Sequence, residues 1–533
     1  MLARKSFLIV TTHFISDFLG WIGIVVLAKL WGSFAPEALG IIGFAMSFVS
    51  LFGIITDLGF STAHVKRVSE GQDFGKCIGT FATIKLALTG VMVLLIFISM
   101  YILNNFDKGF TDATTESVVI VVIFQAIFSN LQSIATETFI GRREIAKLQI
   151  TRMMENLVKV PLSIIVALAG VTITGYANIT PAINWPDFLK PFQNYISTHA
   201  VGSLAMTYVI GMAATFFIGI WFMRKYPLKK PSLDIVKSYL FFAIPIMFTD
   251  VVGTIAASLD KVMIGYFWTS TEVGYYFTVQ RILGFVAILS GAVGTILFPL
   301  ISEHHSNKDY KKIIKTTYLA ERYISMVLIP PIILIIVFIN PVIEIMLSDA
   351  FLPAGSVLIA LLIFTYIRGI TTPYGNLIGG INKPRKLAEV GITITSINIV
   401  LNLLFIPKEG MLSSFGINGA TGAAVATIFA HIVGFFRLRY YAKKYTKIKL
   451  FQTHTPRHLI AGLGMALILY VIGTIFPVIR WYHLIIFAGF GLLVYLAILR
   501  LLKEFNKDDL KFFISIINPK GMFGYIKSEV KEK

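Results

Sequence analysis

The feature that most constrains this chain is a series of apolar runs, each long enough to cross a bilayer. A membrane-spanning helix needs about 20 mostly apolar residues. Fourteen runs meet that length: 6–30, 38–62, 79–103, 117–140, 151–177, 199–223, 238–267, 272–301, 318–346, 354–380, 388–406, 417–440, 457–478 and 483–502. They hold Leu, Ile, Val and Phe without the strict alternation of a barrel strand. The predicted fold is therefore an all-α integral membrane protein of about 14 transmembrane helices. Composition agrees: 56% of the 533 residues are hydrophobic and only 14% are charged, against about a quarter charged in a soluble domain. That excludes a water-soluble enzyme, a disordered chain and a nucleic-acid-binding protein.

The basic residues orient the spans. The net charge is +19, from 47 Lys+Arg and 28 Asp+Glu. If the N-terminus and every second connection are cytoplasmic, only Lys108, Lys190, Lys408 and Arg480 lie outside. Lys29, Lys159, Lys261, Arg281 and Arg368 fall at membrane depth, and all the rest, Lys85 and Arg439 among them, fall on the inner side. This positive-inside bias predicts a multi-pass plasma-membrane protein with both termini cytoplasmic, its inner surface attracted to anionic membrane lipids. Arg4 and Lys5 precede an apolar run to about Leu30 without a small-residue cleavage site, which predicts a retained first span.

Chemistry outside the membrane is sparse. Cys77 is the one cysteine, so neither a disulfide within the chain nor a cysteine metal cage is possible. The longest outer connection, about Ala177 to Thr198, contains Asn-Trp-Pro-Asp and little else of note. No connection is large enough for a catalytic domain. The stretch Gly71 to Cys77 is one residue short of a phosphate-binding loop and lacks its Ser/Thr. After Leu502, the residues Leu510, Phe512, Phe513, Ile516 and Ile517 among lysines suit an amphipathic helix on the inner interface or a solvated tail.

A weak internal repeat runs through the spans. Asp17, Lys29 and Gly40 follow one another much as Asp250, Lys261 and Gly274 do. Phe216-Phe217 precede Lys225-Tyr226 as Phe435-Phe436 precede Lys444-Tyr445. Two six-helix lobes of the same orientation are expected, 1–230 and 231–445, followed by a helix pair and tail in 446–533, with the repeat axis along the membrane normal.

Three stretches carry a family resemblance: Asp57-Leu-Gly-Phe-Ser-Thr-Ala-His-Val-Lys-Arg; Leu259-Asp-Lys-Val-Met-Ile-Gly-Tyr with Glu272-Val-Gly-Tyr-Tyr; and Gly379-Gly-Ile-Asn-Lys-Pro-Arg with Asn402-Leu-Leu-Phe-Ile-Pro, Gly416-Ile-Asn-Gly-Ala and Gly422-Ala-Ala. They resemble polysaccharide flippases of the Wzx type, in the multidrug/oligosaccharidyl-lipid/polysaccharide exporter superfamily. The resemblance implies an alternating-access transporter that moves a polyprenyl-(di)phosphate-linked oligosaccharide from the inner to the outer leaflet. Its implied partners are that lipid-linked glycan, membrane lipids and glycan assembly enzymes. No cofactor is implied, and coupling to H⁺ or Na⁺ is open.

Such a cargo has an anionic head, and cations at membrane depth are costly enough to mark a function. Arg281 and Arg368 have no acidic residue three or four positions away and suit bidentate phosphate contact. Lys261 and Lys29 suit the same cationic cavity or snorkelling to the interface. Lys159 has Glu155 four residues earlier, the spacing of a local ion pair. Asp57 and Glu137, near inner span ends, are expected to gate or to anchor a connection. Asp17 and Asp250 occupy equivalent repeat positions near mid-membrane, where a carboxylate can carry a proton or coordinate Na⁺. In related lipid II flippases a sodium site joins a span 7 aspartate to polar residues four apart on span 11, which would here be Asp250 with Asn398 and Asn402. The competing expectations are a multidrug or cation exporter of the same superfamily, a membrane glycosyltransferase or polymerase, and a channel.

Overall fold

The computed structural model describes residues 2–105, 113–172, 179–450, 452–507 and 509–510. Among the described residues, every sequence-predicted span overlaps a helix. The first half holds α1 (Leu2–Trp31), α2 (Ala35–Asp57), α3 (Phe60–Ser69), α4 (Phe74–Asn105), α5 (Ala113–Gly141), α6 (Ile145–Leu168), α7 (Lys190–Thr198), α8 (Ala200–Met223) and α9 (Leu233–Phe267). Then follow α10 (Ser270–Ser306), α11 (Tyr310–Val337), α12 (Ile339–Met346), α13 (Gly355–Gly380), α14 (Pro384–Phe405), α15 (Gly419–Thr446), α16 (His454–Ile475) and α17 (Trp481–Leu501). Among the described residues, extended pairing is limited to one isolated bridge, Val171 with Ile179. Ten segments of the described residues are long and apolar enough to cross a membrane. Helices are what a bilayer permits, because a helix satisfies its backbone hydrogen bonds within itself.

Local chemistry sets the breaks. Leu58 and Gly59 have φ of 43° and 80°, the left-handed region. They turn the chain so that α3 starts anew as a short helix at the end of α2. The Asp309 side chain caps α11 by accepting from Lys312 N–H at 3.0 Å. The run 318–346, expected as one span, is divided: Phe338 leaves helical geometry at φ −108° and ψ 39°, separating α11 from α12.

The chain forms two compact units, residues 1–277 and 278–533. In the first, α1 packs on α6, α8 on α5 and α6, and α2 on α4, α5 and α9. In the second, α15 packs on α13 and α14, while α11 packs on α13, α16 and α17. The last spanning helix of the first lobe expected from sequence, α8, packs on α5 and α6, and α15 packs on α13 and α14 in the same order. Phe60, Cys77, Phe81 and Tyr239 centre one core of the first unit. Ile301, Ile313, Tyr374 and Leu377 centre a core of the second, and Met326, Ile329, Met465 and Tyr495 join α16 and α17 to α11.

Two glycines bring α2 and α10 into close approach. A Cβ on Gly40 of α2 would lie 1.6 Å from the Ser270 carbonyl oxygen, and a Cβ on Gly274 of α10 would lie 1.8 Å from that of Pro36. Backbone meets backbone reciprocally there, which only a residue without a side chain allows.

Candidate functional site

The cations expected to line a cavity differ sharply in their surroundings. Arg281 on α10 and Arg368 on α13 are both exposed. Beside Arg368 on the bundle, Phe364 packs edge-on against His431 with ring centroids 4.6 Å apart. Lys29, in the last turn of α1, is exposed as well. Lys261 is buried instead, and its ammonium donates to the Ala257 carbonyl at 2.7 Å. One residue before it, Asp260 accepts from the buried Tyr276 hydroxyl at 2.7 Å.

Lys159 makes the expected local pair with Glu155, at 3.1 Å. It also lies over the Tyr208 ring, 4.8 Å from the centroid. Lys159, Tyr208, Ser163, Gly20 and Gly23 line a cavity of about 20 Å³ between α1, α6 and α8, room for about one water. Asn156 of α6 ties that helix to α1 through Ser16, donating to its carbonyl at 2.9 Å and to its hydroxyl at 2.6 Å. Asp17, the next residue, is exposed. Asp250 lies on α9, and its side chain is outside the described ones.

Asn398 and Asn402 do form one cluster. Both are buried on α14, and Asn402 Nδ2 donates to Asn398 Oδ1 at 3.2 Å. Asn398 Nδ2 donates in turn to Thr427 Oγ1 of α15 at 3.2 Å. Thr427 escaped the sequence reading because its partners sit on a different helix, 29 positions away for Asn398. The cluster is a chain of neutral oxygens and amides, able to share in holding a small cation once a carboxylate supplies charge.

At the end of α2, Asp57 accepts from Ser61 N–H at 2.9 Å and from Lys85 Nζ at 3.4 Å. Lys85, grouped with the inner connection by sequence, is 2% exposed and lies within α4. Glu137 of α5 lies within electrostatic reach of Arg152, Asp57 and Lys85. Behind it, buried His64 bridges the Tyr239 hydroxyl at 2.8 Å and Thr138 Oγ1 at 2.9 Å, its ring stacked on Phe81. The two gate candidates therefore belong to a single charged cluster.

A second charged network was not visible in the sequence. Glu321 of α11 is fully buried, pairs with Arg439 of α15 and accepts from the Tyr374 hydroxyl at 2.5 Å. The neighbouring Arg322 holds Glu504 at 2.7 Å and Asp509 at 2.7 Å, beyond the end of α17. Burial pushes the Glu504 carboxyl up, but the neighbouring His458, 3.8 Å away, and hydrogen bonds from Arg322 and Arg457 outweigh it and bring its pKa down to about 2. The network fastens the last helix pair to α11. Of the tail residues named from sequence, Leu510 is described and exposed, and Phe512, Phe513, Ile516 and Ile517 lie outside the described residues.

Comparison with known proteins agrees with this architecture. Two family models, both described as polysaccharide biosynthesis protein, match residues 2–180 and 196–356. A Haloferax volcanii protein named probable low-salt glycan biosynthesis flippase Agl15 is 24% identical over 520 residues, 97% of this chain and 99% of that one. Probable flippase AglR of the same organism is 26% identical over 181 residues, 33% of this chain and 36% of its own. Among solved structures, lipid II flippase MurJ in an inward closed conformation has a TM-score of 0.69 at 19% identity, covering 92% of this chain and 98% of that one. An inward-facing multidrug resistance MATE family transporter of the MOP superfamily has a TM-score of 0.54 at 16% identity, covering 82% and 96%. The fold is shared with the lipid II flippase and with the MATE family transporter. In sequence, the chain is similar to polysaccharide biosynthesis proteins over residues 2–180 and 196–356 and, end to end, to a probable glycan biosynthesis flippase.

Proposed function

We propose that this chain is a flippase, not an enzyme: an alternating-access transporter that moves a polyprenyl-(di)phosphate-linked oligosaccharide from the inner to the outer leaflet of the plasma membrane. The observation that carries the reading is the end-to-end likeness to a glycan biosynthesis flippase, on a fold shared with a lipid II flippase. In this reading the termini are cytoplasmic, and lobes 1–230 and 231–445 rock about a central site, with the helix pair of 446–533 beside them. The products of glycan assembly enzymes are its cargo.

Arg281 and Arg368 receive the phosphate. Both are exposed on their helices, and a guanidinium at membrane depth is tolerated where it faces water rather than hydrocarbon. Its planar fork matches two phosphate oxygens at once. Lys29, Lys159 and Lys261 contribute positive potential rather than direct contact, because Lys159 and Lys261 already bond within the protein. Asp17 and Asp250 are the candidates for ion coupling, with Asn398 and Asn402 as neutral co-ligands for Na⁺ at Asp250. Asp57 and Glu137 act at the inner gate.

The test is the distribution of lipid-linked oligosaccharide between leaflets. The pair Arg281→Ala and Arg368→Ala should leave the cargo in the inner leaflet at wild-type membrane abundance, and Lys at either position should restore transport in part. Full transport by the double variant would remove the arginines from the mechanism. The MATE likeness favours one second reading, a cation exporter. That reading requires the same double variant to gain cationic-drug efflux, since the positive lining opposes such cargo. For coupling, Asp250→Asn should lose dependence on an ion gradient, and an unchanged ion response would make Asp250 structural.

A further inference from the structure

The outer connection between α6 and α8 holds a helix that the protein uses only in part. Backbone bonds bind this connection to the helix ends. Ala182 N–H donates to the Leu168 carbonyl at 3.1 Å, and Thr172 N–H to that of Ser197 at 3.0 Å. Gln193 Nε2 donates to the Ile183 carbonyl at 3.3 Å. The short helix α7 ends at Thr198 and α8 begins at Ala200. So short a link leaves α7 no freedom to stand away from the end of the bundle.

Successive helical residues turn by about 100°, and on α7 they sort into three groups. Gln193, Ile196 and Ser197 are buried against the protein. Asn194 and Thr198 are exposed and polar. Phe192 and Tyr195 are exposed and aromatic, at 57% and 61%, and Phe188 in the turn just before is 81% exposed. On an ideal helix the centres of these three groups lie about 120° apart. Trp185, whose ring centroid is 6.1 Å from that of Phe192, and the exposed Ile183 extend the aromatic side.

A helix on the end of a soluble bundle needs two faces, one for the core and one for water. The third face here fits neither. We propose that the aromatic face of Phe188, Phe192 and Tyr195 is a membrane-interface anchor that inserts among the phospholipids of the leaflet at the α7 end of α6 and α8. The face continues a lipid surface: Ile165 in the last turn of α6 and Met206 and Ile210 of α8 are exposed apolar residues of spanning helices. Tyr and Trp concentrate at headgroup depth, where a ring is half in hydrocarbon. A helix with its apolar side down and polar side up lies in that plane. Lys190 pairs with Asp187 at 2.5 Å, so the helix offers no net charge and its insertion is hydrophobic. This assignment stands independently of the cargo carried.

Cys77, the one cysteine, is buried, so a Cys77→Ala background accepts single nitroxide labels at Phe192→Cys, Tyr195→Cys, Asn194→Cys and Thr198→Cys. In phosphatidylcholine vesicles, the labels at 192 and 195 should collide severalfold more with oxygen, relative to a water-soluble nickel chelate, than those at 194 and 198. Added anionic lipid should not change that ratio. Equal, water-like collision at all four positions overturns the anchor. So does protection of 192 and 195 by a soluble oligosaccharide without oxygen enrichment, which would make the face a glycan platform. The unmodified protein gives a second reading, with a phosphatidylcholine carrying a diazirine high in its acyl chain. Adducts should fall on peptide 181–198, and their absence there while spanning peptides are labelled overturns the proposal.

Discussion

An ammonium taken out of water costs several kcal/mol unless a counter-charge and hydrogen bonds replace its hydration. Lys85 is in that position, enclosed in α4 with the Asp57 carboxylate 3.4 Å away. Asp57→Asn removes the anion and leaves the cation enclosed, so it should destabilise the protein by about 1–3 kcal/mol. Asp57→Asn with Lys85→Met removes both charges and should recover most of that loss in thermal unfolding of the detergent-solubilised protein. Additive losses would show that the two side chains do not act together. Glu504 gives a pH test. Its carboxyl is lowered from 4.5 to about 2, so its contribution is present above about pH 4.5 and is lost as pH falls toward 2. The unfolding temperature should therefore drop through that acid range, and Glu504→Gln should flatten this part of the profile. An acid profile unchanged by the substitution would assign the loss to other carboxylates, such as Glu144, held at about 2 against burial by Lys147, Tyr226 and Arg142.

Helix contact at Gly40 and Gly274 turns on a single atom. A methyl at Gly40 would lie 1.6 Å from a backbone oxygen, and one at Gly274 would lie 1.8 Å from another. Backbone cannot swing aside as a side chain can, so the first turns of α2 and α10 would have to separate. Gly40→Ala and Gly274→Ala should each cost about 1–3 kcal/mol. Gly90→Ala in α4, where a Cβ meets nothing within 4 Å, should be neutral or stabilising. Equal unfolding temperatures for all three variants would show that the close contact is not held in solution. The same elements show what a linear sequence carries. Spans were legible because apolar length is a local property, and so were spacings along one helix: Glu155 with Lys159, and Asn398 with Asn402. The short helices α3 and α7 were not, because 10 and 9 residues give no membrane-length signal and their position depends on what they dock against. The pairs Lys85–Asp57 and Arg439–Glu321 were hidden for a related reason. Which residues meet across a helix boundary depends on the rotation of both helices, and neither charge alone reveals it.

For the molecule as a whole, charge predicts an orientation. Apart from the nine basic residues assigned above to the outer side or to membrane depth, the sequence reading puts the other 38 of the 47 Lys+Arg on one side of the membrane. Translocating such clusters is opposed at every connection, so the arrangement is fixed jointly by all of them. Cytoplasmic placement of both termini requires an even number of crossings, and it puts the Glu504–Asp509 segment, held by Arg322, inside the cell. The connection from α14 to α15, where Met411 and Phe415 are strongly exposed, would then lie outside. The buried Cys77 leaves the native chain without an exposed thiol among the described residues, which makes the test direct. In Cys77→Ala, a thiol at Met411→Cys should react with a membrane-impermeant maleimide added to intact cells. One at Lys507→Cys, an exposed position just beyond α17, should react only after the membrane is opened. Reversed labelling at both sites would invert the protein. External reaction at both would require an even number of crossings between residues 411 and 507 in place of the three supplied by α15, α16 and α17, and would remove one of those helices from the membrane.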